Sequence, residues 1–318
     1  MSGDDMVPGP LATDTKAIIL AVIFFLSCLV AVVGNGFITA VLSTEWLLRR
    51  TLPPCDKLLL SLGASRFCLQ WVVMGKNIYI FLYPMAFPYN PVLQFLGFQW
   101  DFLNAATLWF STWLSVFYCV KIATFAHPVF LWLKRKLSTW VPWMFLSSVG
   151  LSSLSTILLF IGNQKIYQNY VRTGLRPWNM TRNSIMSSYE KFYLFPLKVI
   201  TWTVPTVVFL ICMVLLITSL GRHTKKAFLT VSGFRELGAQ VHVKALLALV
   251  SFAILFVSYF LSLVLSTTGI FQFGELRYWM WQAAIYLCTA VHPIILLLSH
   301  PRLRAVLERG CSSRCVAS

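Results

Sequence analysis

Arg66 and Asn35 stand within otherwise apolar runs, where a guanidinium or a side-chain amide must find a partner. The cost of facing lipid turns Arg66 inward, toward water, Asn35 or a backbone carbonyl, and toward His292 late in the chain. Such a group can act as a clamp that fixes helix packing, as a conformational switch, or as both. Trp100, Asn104 and Leu108 recur every four residues and so share one helical face. That face can line a ligand cavity, with Trp100 as an aromatic wall and Asn104 as a directed polar contact. It can also hold an interfacial tryptophan beside an asparagine satisfied between helices.

Catalysis is not expected of these residues. Asp101 and Glu190 lie at or before the edges of apolar runs, so no carboxylate pair sits inside to serve a proton pump or cation carrier. His-Glu-x-x-His zinc spacing, a nucleotide-binding glycine loop and calcium-loop spacing are all missing. The reading is of no enzyme, no metal site and no cofactor.

The elements that must position these residues are seven apolar stretches, at about 17–43, 58–82, 102–122, 141–161, 192–220, 245–269 and 278–298. The 318 residues are 58% hydrophobic and 11% charged, with a mean hydropathy of +0.74. A water-soluble globule has no core large enough to hide that surface. A bilayer suits it, because a spanning helix takes roughly 20 apolar residues. The expected fold is all-α, a seven-transmembrane helix bundle forming one domain over 1–318.

Orientation follows from the basic residues. Lys and Arg concentrate in 45–57, 134–136, 222–244 and 302–318, which predicts a cytoplasmic position for these segments. Residues 1–16 are then extracellular and 299–318 form a cytoplasmic tail. The basic loop 165–198 dissents, but it carries Asn179-Met180-Thr181, an acceptor for N-glycosylation. The net charge of +16 is distributed so that the inner clusters face anionic membrane lipids or an acidic partner. No zinc-finger spacing or recognition-helix pattern points to nucleic acid. Most of the eight cysteines fall in spans and none in the outer loops, so no extracellular disulfide is expected. Cys311 and Cys315 are open to palmitoylation or to remaining free thiols. Pro142, Pro205 and Pro293 can bend their helices.

Separated motifs in a fixed order carry a resemblance. They are Gly34-Asn35-Gly36-Phe37-Ile38, then Leu62-Gly63-Ala64-Ser65-Arg66 with Leu69-Gln70-Trp71, then Leu114-Ser115-Val116-Phe117-Tyr118-Cys119-Val120-Lys121-Ile122-Ala123-Thr124-Phe125. Phe130-Leu131-Trp132-Leu133-Lys134-Arg135, Ser219-Leu220 with His223, His242 with Lys244, and Tyr259-Phe260-Leu261-Ser262 continue the series. Nearly the whole chain resembles the type 2 taste receptors, the bitter-taste family of G-protein-coupled receptors. The Asp-Arg-Tyr and Asn-Pro-x-x-Tyr marks of rhodopsin-type receptors are missing.

The resemblance implies a multi-pass plasma-membrane receptor for small bitter compounds, entering the outer bundle near Trp100, Asn104 and Leu108. It implies that Tyr118, Lys121, His127, Lys134, Arg135, His223 and Lys244 face a heterotrimeric G protein of the gustducin type. Asn35, Arg66, Pro205 and His292 take structural or switch roles. Departures touch both ends. The usual Asn-His is Asn104-Ala105 here, the serine expected after Pro205 is gone, and His-Ser becomes His292-Pro293. A small membrane transporter or channel is the alternative reading, and the oligomeric state is left open.

Overall fold

With no water in the bilayer core, each apolar run must pair its own backbone groups, and a helix does so within one segment. The computed structural model describes residues 15–83, 90–122, 128–173, 189–229, 236–268, 276–300 and 302–308, with the side chains of 128–131, 170, 173, 223–224, 226–229 and 236–245 outside the description. The long helices are α1 (Thr15–Arg49), α2 (Pro54–Leu82), α3 (Pro91–Ile122), α4 (Pro128–Thr173), α5 (Phe195–Leu229), α6 (Glu236–Thr267) and α7 (Leu276–Ser299). A π-helical turn, Glu190–Leu194, leads into α5, and a short helical stretch covers 302–308. Seven helices among the described residues are long and apolar enough to cross a membrane.

The helices overrun the expected spans. The third begins at Pro91 rather than near 102, and α4 is 46 residues long where 141–161 was expected. Hydropathy marks only the lipid-thick part of a helix, whereas i→i−4 backbone pairing continues into water. The basic stretch Lys134–Lys136, expected in a loop, consequently lies within α4. Several starts are set by proline. Pro54, Pro91 and Pro128 each open a helix, where the missing N–H would have had no partner. Asn90 caps α3 by accepting from the Leu93 N–H at 2.9 Å.

Helix α3 is the axis of the bundle, packing on α2, α4 and α5, while α1 joins α2 to α7 and α6 closes between α5 and α7. In their most apolar windows 67% of α3 is buried against 17% of α6. The core divides by helix group. Phe24, Trp279 and Tyr286 join α1 to α7, and Trp202, Phe209 and Phe256 join α5 to α6 beside Leu108. Leu58, Phe110, Phe117, Leu137 and Leu303 form a third group toward the Tyr118 end of α3. At Pro205, Thr112 Oγ1 lies 2.8 Å from both the Leu108 and Pro205 carbonyls and ties α3 to α5.

Gly34 of α1 packs closely against Pro293 of α7. A Cβ there would sit 2.9 Å from Pro293 Cβ, whereas one at Gly75 meets nothing within 4 Å. Alanine ordinarily favours a helix over glycine by about 1 kcal/mol. Gly34→Ala should therefore lower the Tm of purified receptor while Gly75→Ala holds or raises it. Equal shifts for the two would show that α1 and α7 do not meet closely at Gly34.

Candidate functional site

Polar side chains from five helices meet around a cavity. Arg66 enters from α2, its Nη1 2.5 Å from His292 Nδ1 on α7 and its Nη2 3.4 Å from Ser111 Oγ on α3. A guanidinium only donates, so the imidazole nitrogen serves as acceptor. The His292 ring packs on Phe252 of α6 at 4.7 Å between centroids. Thr107 and Ser65 bridge α3 and α2 with their hydroxyls 3.2 Å apart. Asn35 lines the same cavity, but its amide donates to Ala31 of its own helix at 2.8 Å. The partners of Arg66 are thus on α3 and α7, and the Asn35 carbonyl expected as its acceptor is not used.

Of the α3 face, Leu108 lines the cavity. Asn104 is fully buried and has two commitments: its amide donates to the Trp100 carbonyl at 2.6 Å, and its oxygen accepts from the Tyr259 hydroxyl on α6. Tyr259 in turn lines the cavity, so Asn104 meets that space through the tyrosine. Trp100 lies farther toward the start of α3, half-buried. The Lys76 and Lys198 ammonium groups stand 4.9 and 5.8 Å from its ring centre, and Trp202 packs edge-on at 6.0 Å. Asp101, read from sequence as an edge residue, is buried and pairs with Lys198 at 3.5 Å.

The other end of the bundle holds the remaining residues. Tyr118 is half-buried and its hydroxyl accepts from the Cys55 thiol at 3.0 Å. Lys121 is exposed, with its ammonium 5.8 Å from the Phe117 ring centre. Lys134 and Arg135 are exposed on α4. His223 belongs to α5 and Lys244 to α6, with their side chains outside the described part; His127 and Asn179 lie outside the described residues. Beside Tyr118 is an ion cluster that sequence reading missed. Asp56, buried in the first turn of α2, meets Arg302 at 2.7 Å and His300 at 3.5 Å. Arg302 also reaches Glu45 of α1 at 3.8 Å, and buried Leu303 pins 302–308 to the core. Among the described residues no His, Cys, Asp or Glu group could hold a metal.

Residues 12–311 match the family described as "Taste receptor protein (TAS2R)". The chain is 73% identical over 315 residues to "Taste receptor type 2 member 60" of Macaca mulatta, covering 99% of each chain. The human protein of that name is 72% identical over the same length and coverage. "Taste receptor type 2 member 135" of Mus musculus is 59% identical over 311 residues, which is 98% of this chain and all of the mouse one. The chain belongs to the type 2 taste receptor family, the bitter taste receptors. For this taste receptor, the seven long helices form a G-protein-coupled-receptor-type bundle in a multi-pass membrane protein.

Two signals in the receptor's sequence could have found the missed groups. Asp56 is an isolated acid in a basic segment, just before an apolar helix that needs its amino-terminal charge satisfied. Tyr259 is a hydroxyl in an apolar run, and a buried phenol seeks an acceptor.

Proposed function

We propose that this taste receptor binds small bitter compounds near Trp100, Asn104 and Leu108 and activates a heterotrimeric G protein of the gustducin type from the Tyr118 end. The Tyr259–Asn104 hydrogen bond carries the reading. It couples α6, the least buried helix, to α3, the axis, between the Trp100 end and the Arg66 cavity. A compound that fits one arrangement of α3 and α6 better than another shifts the equilibrium by that difference in affinity, and by nothing else. No bond in the ligand is made or broken, so the protein acts as a receptor and not as an enzyme.

The whole chain serves as one receptor domain in the plasma membrane, with 1–16 extracellular and 299–318 cytoplasmic. Its inner surface would present Tyr118, Lys121, His127, Lys134, Arg135, His223 and Lys244. The concentration of Lys and Arg at that end supports this orientation. Replacing Lys121 and 134–136 with glutamine should cut nucleotide exchange on an added heterotrimer at least several-fold, with surface expression nearly unchanged. A parallel fall in both would assign these charges to folding instead. Substrate flux through proteoliposomes without any G protein would transfer the chain to the transporter reading.

Asn179 is the proposed glycan site. Glycosidase should shift the receptor's gel mobility, and Asn179→Gln should abolish that shift; an untreated mobility equal to that of the variant rejects the modification.

A further inference from the structure

Arg66 carries a charge into the middle of the bundle, and its two partners there, His292 Nδ1 and Ser111 Oγ, carry none. No carboxylate lines the cavity it enters. The buried acids among the described residues are paired elsewhere, Asp56 with Arg302 and Asp101 with Lys198. A guanidinium has five N–H donors, and a buried charge without a counter-charge costs several kcal/mol. A second group points to what supplies that charge. Gln70 lines the same cavity, is 4% exposed, and its amide oxygen has no hydrogen-bond partner. A half-turn about the terminal torsion presents its NH₂ donors to the same space. The remaining walls include Leu69, Leu108, Leu255 and Phe256, whose low polarity strengthens attraction to an anion.

We propose that this cavity is a binding site for a small inorganic monoanion of the halide class, held by the Arg66 guanidinium and the Gln70 amide. The ion neutralises Arg66. The ion's effect on stability is read directly, so the test needs no agonist. The same chemistry would receive the carboxylate of a small organic acid, and the experiment separates the two sources.

Full-length receptor in phosphatidylcholine nanodiscs would be unfolded thermally at fixed pH and ionic strength, with sodium chloride replacing sodium gluconate stepwise. The Tm should climb by roughly 5 °C as chloride approaches about a hundred times its Kd. Bromide should act alike, and acetate should have little effect. Gln70→Leu, close in volume, should fold and lose most of the chloride shift. Arg66→Gln should lose all of it, while Arg66→Lys should keep a weakened response. If Arg66→Gln fails to fold, the Gln70 variant still decides. A Tm indifferent to the anion, or a shift of undiminished size in Gln70→Leu, overturns the site. A response to acetate without one to chloride overturns the inorganic ion and assigns the cavity to carboxylates.

Discussion

Arg66→Leu should leave the receptor near its normal surface level and reduce agonist-driven nucleotide exchange by on the order of 5–150-fold, the usual range of an allosteric coupling. Two effects oppose each other in its stability. Leucine releases the desolvation cost of a buried charge, which is several kcal/mol. It also strips a donor from His292 and Ser111, at about 1–3 kcal/mol for each acceptor left unsatisfied. Ser111 can recover a bond to a carbonyl one turn back, as other hydroxyls in this bundle do. The two contributions nearly cancel in the resting fold. What is lost is the tie between α2, α3 and α7, whose change would distinguish inactive from active arrangements. Activity per surface receptor, measured beside labelled surface protein, gives the result. Normal activity per receptor with few receptors at the surface would make Arg66 a packing clamp only.

The second large effect is expected at Asn104. Asn104→Leu keeps the volume but removes the acceptor of the half-buried Tyr259 hydroxyl, at a cost of about 1–3 kcal/mol. Tyr259→Phe removes the other half. If the bond joins α3 to α6, the double variant costs less than the two single ones together, because the second change removes a group already orphaned. Denaturation of the purified receptor would measure all four corners. Costs that simply add would mean the two side chains do not interact. Agonist response should weaken in both single variants, with Trp100 and its cationic neighbours unchanged.

Much of this arrangement is legible in the sequence, and the gaps have physical causes. Seven spans can be read because lipid demands a run of apolar residues. Their ends cannot, since α3 and α4 continue through Gln94 and Lys134 on backbone pairing alone. That Arg66 turns inward follows from the cost of charge in hydrocarbon; its choice of partner does not. Asn35 satisfies its amide on Ala31, and this local option competes with any bond across helices. The four-residue spacing of Trp100, Asn104 and Leu108 puts them on one face but does not say what that face meets. Tyr259, which decides it for Asn104, is 155 residues away. Asp56 beside Lys57 reads as ordinary loop charge until Arg302, 246 residues later, folds back onto it.

The length of α4 bears on the receptor's passage through the cell. At 46 residues it measures about 69 Å, more than twice the ~30 Å hydrocarbon thickness. The length of such a rod sets no depth by itself. The endoplasmic reticulum bilayer is thinner than the plasma membrane by about 5 Å, or roughly three residues of helix. Helix α4 can take up that difference by sliding or tilting, without unwinding a turn. Its depth is left to its apolar run, to its contacts with α3, such as Phe145 stacked on Phe110 at 5.7 Å, and to exposed Trp132, Trp140 and Trp143 near one end of that run, a residue type favoured at interfaces. Moving those tryptophans along α4 would change how deep the helix sits in each membrane, while shortening its ends would not.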